Sequence, residues 1–270
     1  MFRGSGCMTL YFGVFFFVFV AVHARAQEFW LQPNKIRYKT GDTLKVSFQK
    51  GVNFNGRRLT VPKEKIERLE LRDVSGSQDL LPNIVEVTKF TVAVPLQSEG
   101  TKIVVAQTTG DINHYNANDF EVFLKENGLD DVMLKRKETG ATSAVTEIPI
   151  VYEKLLIQVG NTRDDTFKEN CDLPLEIIPD KNPLALKRGD VIHFKVLFQG
   201  KPLFGAKVRI WNYYDYLTTT QNIFTQQDGT IEMTISSVGS WLINVVKMVP
   251  LKDGGVEWQG YRSSLMFGIK

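Results

Sequence analysis

"KTGDTLKVSFQKG", residues 39–51, is the stretch on which the fold turns. Leu44, Val46 and Phe48 alternate with polar residues, the pattern of a strand that buries one face. The alternation extends over the whole of 35–51, and Gly41-Asp42 supplies the turn between its two halves. The same design returns 148 residues later, about half the chain away, as "KRGDVIHFKVLFQGK", residues 187–201, around a shared Lys-x-Gly-Asp turn. A second pair echoes in the same order: "SEGTKIVVAQ" (98–107) and "SVGSWLINVVKM" (237–248). Two ordered echoes read as an internal repeat, with the first member of each pair opening a sheet and the second closing it.

Short apolar runs fill both halves. Strands are expected at 66–72, 85–94 and 101–108, then at 173–179, 191–198, 206–213, 230–236, 240–248 and 264–269. Asp228-Gly229, between two alternating segments, reads as a hairpin turn. The middle changes period. "NANDFEVFLKENGL" (116–129) carries Phe120, Phe123, Leu124 and Leu129 at helical spacing, with Asn116 or Asn118 as cap and Gly128 as its left-handed end. Residues 130–140 suggest a second short helix capped by Asp130. Pro149 rules out a helix across 144–160, leaving a loop and then a short helix or strand through Leu155-Leu156-Ile157. The polar stretch "NTRDDTFKENCD" (161–172) reads as a linker. The expected fold is mainly β: two β-sandwich domains of immunoglobulin-like or prealbumin-like type, with a short helical insert between them. The expected divisions are a signal peptide at 1–26, an N-terminal sandwich at 27–115, the insert and connection at 116–160, the linker at 161–172 and a C-terminal sandwich at 173–270.

The leader reading rests on Arg3, the apolar run "YFGVFFFVFVAV" (11–22) and the small-x-small site Ala24-Arg25-Ala26, which together predict export and a cut after Ala26. The apolar run is shorter than the roughly 20 residues a spanning helix needs, so the cleaved chain is expected not to span the membrane. Without the leader, basic and acidic side chains nearly balance, at a net charge near +1. That balance gives no electrostatic case for nucleic acid. Cys171 is then the one remaining cysteine, so the fold must stand without an internal disulfide.

Motifs of chemistry are sparse. The sequence has no Gly-x-Ser-x-Gly elbow, no phosphate-cradling glycine loop and no His-Glu-x-x-His helix, so a non-enzymatic role is expected. His193 sits inside an alternating strand. His114 lies in a polar loop, a position that carries function more often. The cluster "IWNYYDY" (210–216) offers Trp211, Tyr213, Tyr214 and Tyr216 as a stacking surface for a sugar or a partner protein, against the alternative that Trp211 is core.

Taken together, "EFWLQPNKIRYKTGDTLKVSF", "FEVFLKENGLDDVMLKRKE", "LPLEIIPDKNPLALKRGD", "FQGKPLFGAKVRIW" and "DGTIEMTISSVGSWLINVVKM" resemble a family of exported bacterial proteins of largely unknown function. Its better-described relatives are the periplasmic NikM-like proteins associated with nickel and cobalt uptake. The second half also resembles prealbumin-like, carboxypeptidase-regulatory-type sandwiches. The resemblance implies a periplasmic accessory protein, an envelope transport component as partner, and nickel or cobalt as the cofactor to look for. Relatives carry a histidine where Gln27 stands and another where Lys247 stands. The residues left as metal candidates are Gln27, Glu28 and His114.

Overall fold

The computed structural model describes residues 27–84, 91–251 and 255–270. The expected leader 1–26 and its cut, and the 85–90 part of one expected strand, lie outside the described residues. In chain order the first half forms β1 (Glu28–Pro33), β2 (Arg37–Tyr38), β3 (Thr43–Val52), β4 (Asn55–Arg58), β5 (Ile66–Asp73), β6 (Gly76–Asp79), β7 (Thr91–Pro95), β8 (Gly100–Thr109) and β9 (Asn113–Tyr115). Two helices follow, α1 (Ala117–Asn127) and α2 (Asp130–Glu138), and then β10 (Val145–Val159). The second half forms β11 (Leu175–Pro179), β12 (Val191–Phe198), β13 (Lys201–Pro202), β14 (Lys207–Tyr214), β15 (Leu217–Phe224), β16 (Thr230–Thr234), β17 (Gly239–Pro250) and β18 (Trp258–Ile269).

These strands build three layers. The middle layer is a ten-stranded sheet in the order β15-β14-β17-β18-β10-β8-β5-β6, with β2 and β9 also paired to β10. One outer sheet is β1, β3, β4 and β7; the other is β11, β12, β13 and β16. Alternation assigns the faces. Val105 of β8 and Ile243 of β17 enter the core shared with the β11–β16 sheet. Their neighbours Val104 and Leu242 enter the core shared with the β1–β7 sheet. The mainly β, sandwich-like architecture therefore holds, and the two halves share their middle layer.

The internal repeat is built into this layout. Reading outward from the β18–β10 junction, β17, β14 and β15 match β8, β5 and β6. The two central strands run parallel. A pseudo-twofold axis along the strands relates such halves, and it turns one face into the other, so the outer sheets lie on opposite faces. The Lys-x-Gly-Asp turns match atom for atom. Lys39 N–H donates to Asp42 Oδ2 at 3.0 Å and Lys187 N–H to Asp190 Oδ2 at 2.9 Å. Gly41 and Asp42 exchange backbone bonds with Leu96, as Gly189 and Asp190 do with Ile235.

Several segments differ from the sequence reading. Residues 145–159 form one continuous strand rather than a loop and a short element. It lies between neighbours and is buried on both faces over its second half, so the period of two is lost. Pro149 fits because its carbonyl accepts from Gly110 N–H, which turns its own nitrogen away from the β18 rungs. The stretch 161–172 is packed down rather than free. Phe167 and Cys171 enter the core, Arg68 donates to Cys171 O at 2.7 Å, and Asp164 accepts from Thr101 N–H at 2.8 Å. Burial pushes the Cys171 thiol up to about 11. Asp228-Gly229 is no hairpin, because β15 belongs to the middle sheet and β16 to an outer one. The hairpin is β14–β15, closed by Asp215 and Tyr216, both at positive φ. Strand β15 escaped notice because almost all of it is exposed, with no apolar alternation.

Helix α1 forms as its sequence predicts. Asn116 accepts from Asp119 N–H at 2.8 Å, and Gly128 closes it at φ 64°. Helix α2 starts at Asp130 itself, with Leu129 as a cap lacking a side-chain bond. Phe120, Phe123 and Leu124 pack with Val246, Met248 and Trp258, covering the middle sheet beside the β1–β7 sheet. A cleft is left between those two covers.

Candidate functional site

The cleft encloses about 400 Å³. One wall belongs to the outer sheet and its following loop, with Phe29, Lys50, Leu59, Thr60, Val61 and Pro62. The facing wall comes from β9 and α1, with Asn113, Tyr115 and Phe123. The floor is the middle sheet: Thr108, Pro149, Val151 and Arg262. Gln27, Lys65, Thr109 and Asp111 stand around it.

The floor is organised by a buried ion pair. Arg262 donates to both oxygens of Glu147, at 2.6 and 2.9 Å. Asn113 and the Tyr115 hydroxyl donate to Glu147 Oε2 at 2.9 and 3.1 Å. These donors and the guanidinium hold the Glu147 carboxyl below the usual carboxylate range despite its burial. Gly260 makes the geometry possible: a Cβ there would overlap Glu147 Oε1 and sit 2.7 Å from Arg262 Nη1. The guanidinium also lies 5.4 Å from the centre of the Phe123 ring.

At the rim Lys65 is paired with Asp111. Lys50 is different. Among the described residues it has no carboxylate within ion-pair distance, and its Nζ stands 5.3 Å from the centre of the Phe29 ring. Desolvation lowers its pKa first, and the positive charges of Arg262 and Arg57 lower it further against the pull of Asp111.

The sequence candidates are spread over the molecule. Gln27 is exposed at the cleft. Glu28 is 1% exposed, with Oε2 unpartnered and Arg209 Nη1 3.6 Å from Oε1. Burial outweighs that guanidinium and pushes the Glu28 carboxyl up to about 7. His114 is exposed and alternates with Asn113 and Tyr115, so it faces away from the cleft. Lys247 is ion-paired with Asp131 of α2. The donor set Gln27, Glu28 and His114 therefore does not fit a nickel or cobalt ion: its members do not converge, and its buried carboxylate already faces a guanidinium. Among the described residues, no three His, Cys, Asp or Glu side chains group so as to hold a metal ion.

The aromatic cluster divides. Trp211 is core, 2% exposed, as the alternative reading had it. Tyr213, Tyr214 and Tyr216 are exposed, Tyr213 with its ring edge-on to Phe54 at 6.4 Å. His193 bridges strands, bonding Asp180 and Glu232 at 3.0 Å each. The sequence reading missed Lys50, Glu147 and Arg262. The available signal was a charge inside an apolar strand, as in "TEIPIVYE" and "GYRSSLMF".

Comparison with known proteins adds a family and little else. A family model described as "Domain of unknown function (DUF4198)" matches residues 24–248. No curated protein matches the sequence. A solved structure titled "Three N-terminal domains of the bacteriophage RB49 Highly Immunogenic Outer Capsid protein (Hoc)" matches at 9% identity and a TM-score of 0.21. That match covers 90% of this chain and 71% of that chain. At that score the likeness carries no argument. No helix among the described residues is long and apolar enough to cross a membrane.

Proposed function

The chain belongs to the family of the domain of unknown function DUF4198, and from that premise we propose that it is an exported, non-enzymatic binding protein that holds a small organic ligand in the cleft between the β1–β7 sheet and the helical layer. The observation that carries this reading is the cleft itself. Its volume of about 400 Å³ lies within the range of small-molecule sites, and it combines apolar walls with a few fixed polar groups. A binding role is supported over a catalytic one because the acid at its floor, Glu147, is fully engaged by Arg262, Asn113 and Tyr115. Export is supported by the leader pattern in residues 1–26, and a role in envelope uptake by the resemblance to exported uptake proteins. The donor geometry favours an organic nutrient over a nickel or cobalt ion.

The test is thermal unfolding of the folded chain against a library of small organic metabolites. A ligand at 100 times its Kd stabilises by about 2.7 kcal/mol, an easily read shift. Thr60→Trp, at an exposed position of the cleft wall, is expected to abolish the shift without unfolding the protein. Binding that survives this blockage places the ligand elsewhere.

A second reading is supported by the β14–β15 hairpin, where Tyr214, Tyr216 and Leu217 are 52%, 89% and 71% exposed. Here the tip engages a carbohydrate or an envelope protein. Tyr214→Ala would lower capture of a glycan on an array; unchanged capture removes the reading.

A further inference from the structure

The charge inventory of the cleft is uneven. Arg262 is neutralised by Glu147, and Lys65 by Asp111. Lys50 remains, half-buried on β3, with the Phe29 ring beneath its ammonium and no counter-ion among the described residues. The charges acting on it are two more cations, Arg262 and Arg57, and one anion, Asp111. A cation drawn partly out of water and left unpaired is costly, so such a group is poised for an anion. The rest of the lining decides what that anion carries. Phe29, Leu59, Val61, Pro62, Phe123 and Val151 are apolar, and they surround the charge on both walls and the floor.

Resting on the reading that this cleft is the binding site, we infer that its ligand is a small organic monocarboxylate with an apolar body, its carboxylate paired with Lys50 and its body between Phe29 and Phe123. One unpaired ammonium matches one negative charge. A phosphate dianion or a dicarboxylate needs a second free cation within the lining; Lys65 and Arg262, the other two that line it, already have carboxylates, and Arg57, across from Lys50 on β4, stands outside the lining. A neutral ligand would leave Lys50 as it stands, and a cationic one would be repelled by it. The ammonium is drawn partly out of water, where Coulomb attraction is stronger than at an open surface.

Calorimetric titration of the folded chain with benzoate, hexanoate, benzamide and benzylamine tests this. Benzoate and hexanoate are expected to bind with Kd below about 10 mM. Benzamide is expected at least tenfold weaker, and benzylamine not at all. Lys50→Met keeps the stem over Phe29, removes the charge, and is expected to weaken benzoate at least tenfold while leaving benzamide unchanged. Asp111 is almost fully exposed, so Asp111→Asn leaves the fold intact and frees Lys65. It is expected to tighten benzoate two- to fivefold, which keeps a readout should Lys50→Met fail to fold. Benzamide matching benzoate, or benzoate indifferent to both substitutions, overturns the carboxylate while leaving the cleft as a binding site. Probes that bind none of these ways up to about 10 mM, or binding undiminished by Thr60→Trp, overturn the cleft reading as well.

Discussion

Glu153 sits in the middle of β10, fully buried, and its carboxyl is pushed up to about 8 by desolvation alone. Its register neighbour on β18 is Ser264, whose hydroxyl has no partner. In the unfolded chain the same carboxyl ionises near 4.5. The folded state therefore binds this proton more tightly than the unfolded state does. The contribution to stability is complete below pH 4.5, falls as pH rises, and is gone above about 8. At 1.36 kcal/mol per unit the full loss is about 5 kcal/mol, and about 3 kcal/mol of it has gone by pH 7. Glu153→Gln keeps the shape and cannot ionise. Urea unfolding of both proteins from pH 5 to pH 9 isolates the effect, since every other titrating group is common to both. The two should agree within about 1 kcal/mol at pH 5, and the variant should lead by several kcal/mol at pH 9. Parallel stability curves across that range would refute the reasoning, because they would mean that Glu153 ionises in the fold as easily as in water.

Two further substitutions test the geometry. Gly260→Ala drives a methyl into the Glu147 carboxylate and should cost about 3–5 kcal/mol in chemical unfolding, the range for breaking a buried pair; a loss under 1 kcal/mol would mean the floor of the cleft rearranges freely. Tyr216 holds φ at 61° in the tip of β14–β15, so Tyr216→Gly should raise stability by up to about 1 kcal/mol, read from the urea midpoint, and a fall would show that its exposed ring is anchored.

The sequence by itself determined the local elements and the repeat. Leu44, Val46 and Phe48 alternate because one face of β3 is buried, and the same holds for Ile192, Phe194 and Val196 of β12. Asn116 and Gly128 bound α1 through bonds made within a few residues. Such features are legible because their cause lies within a turn or a strand of the chain. Tertiary structure alone decided what is shared. Strand β10 carries Glu153 and Lys154 inside an apolar run, and nothing local says that Lys154 will meet Glu176 at 2.7 Å or that Glu153 will meet no charge. The cleft floor joins Glu147 to Arg262 across 115 residues, and Lys50 becomes exceptional only because the other two cations lining the cleft, Lys65 and Arg262, are paired. Periodicity reports which face of a strand is buried and is silent about what is buried against it, so the sandwich could be read from the chain while the shared middle sheet and the unpaired ammonium could not.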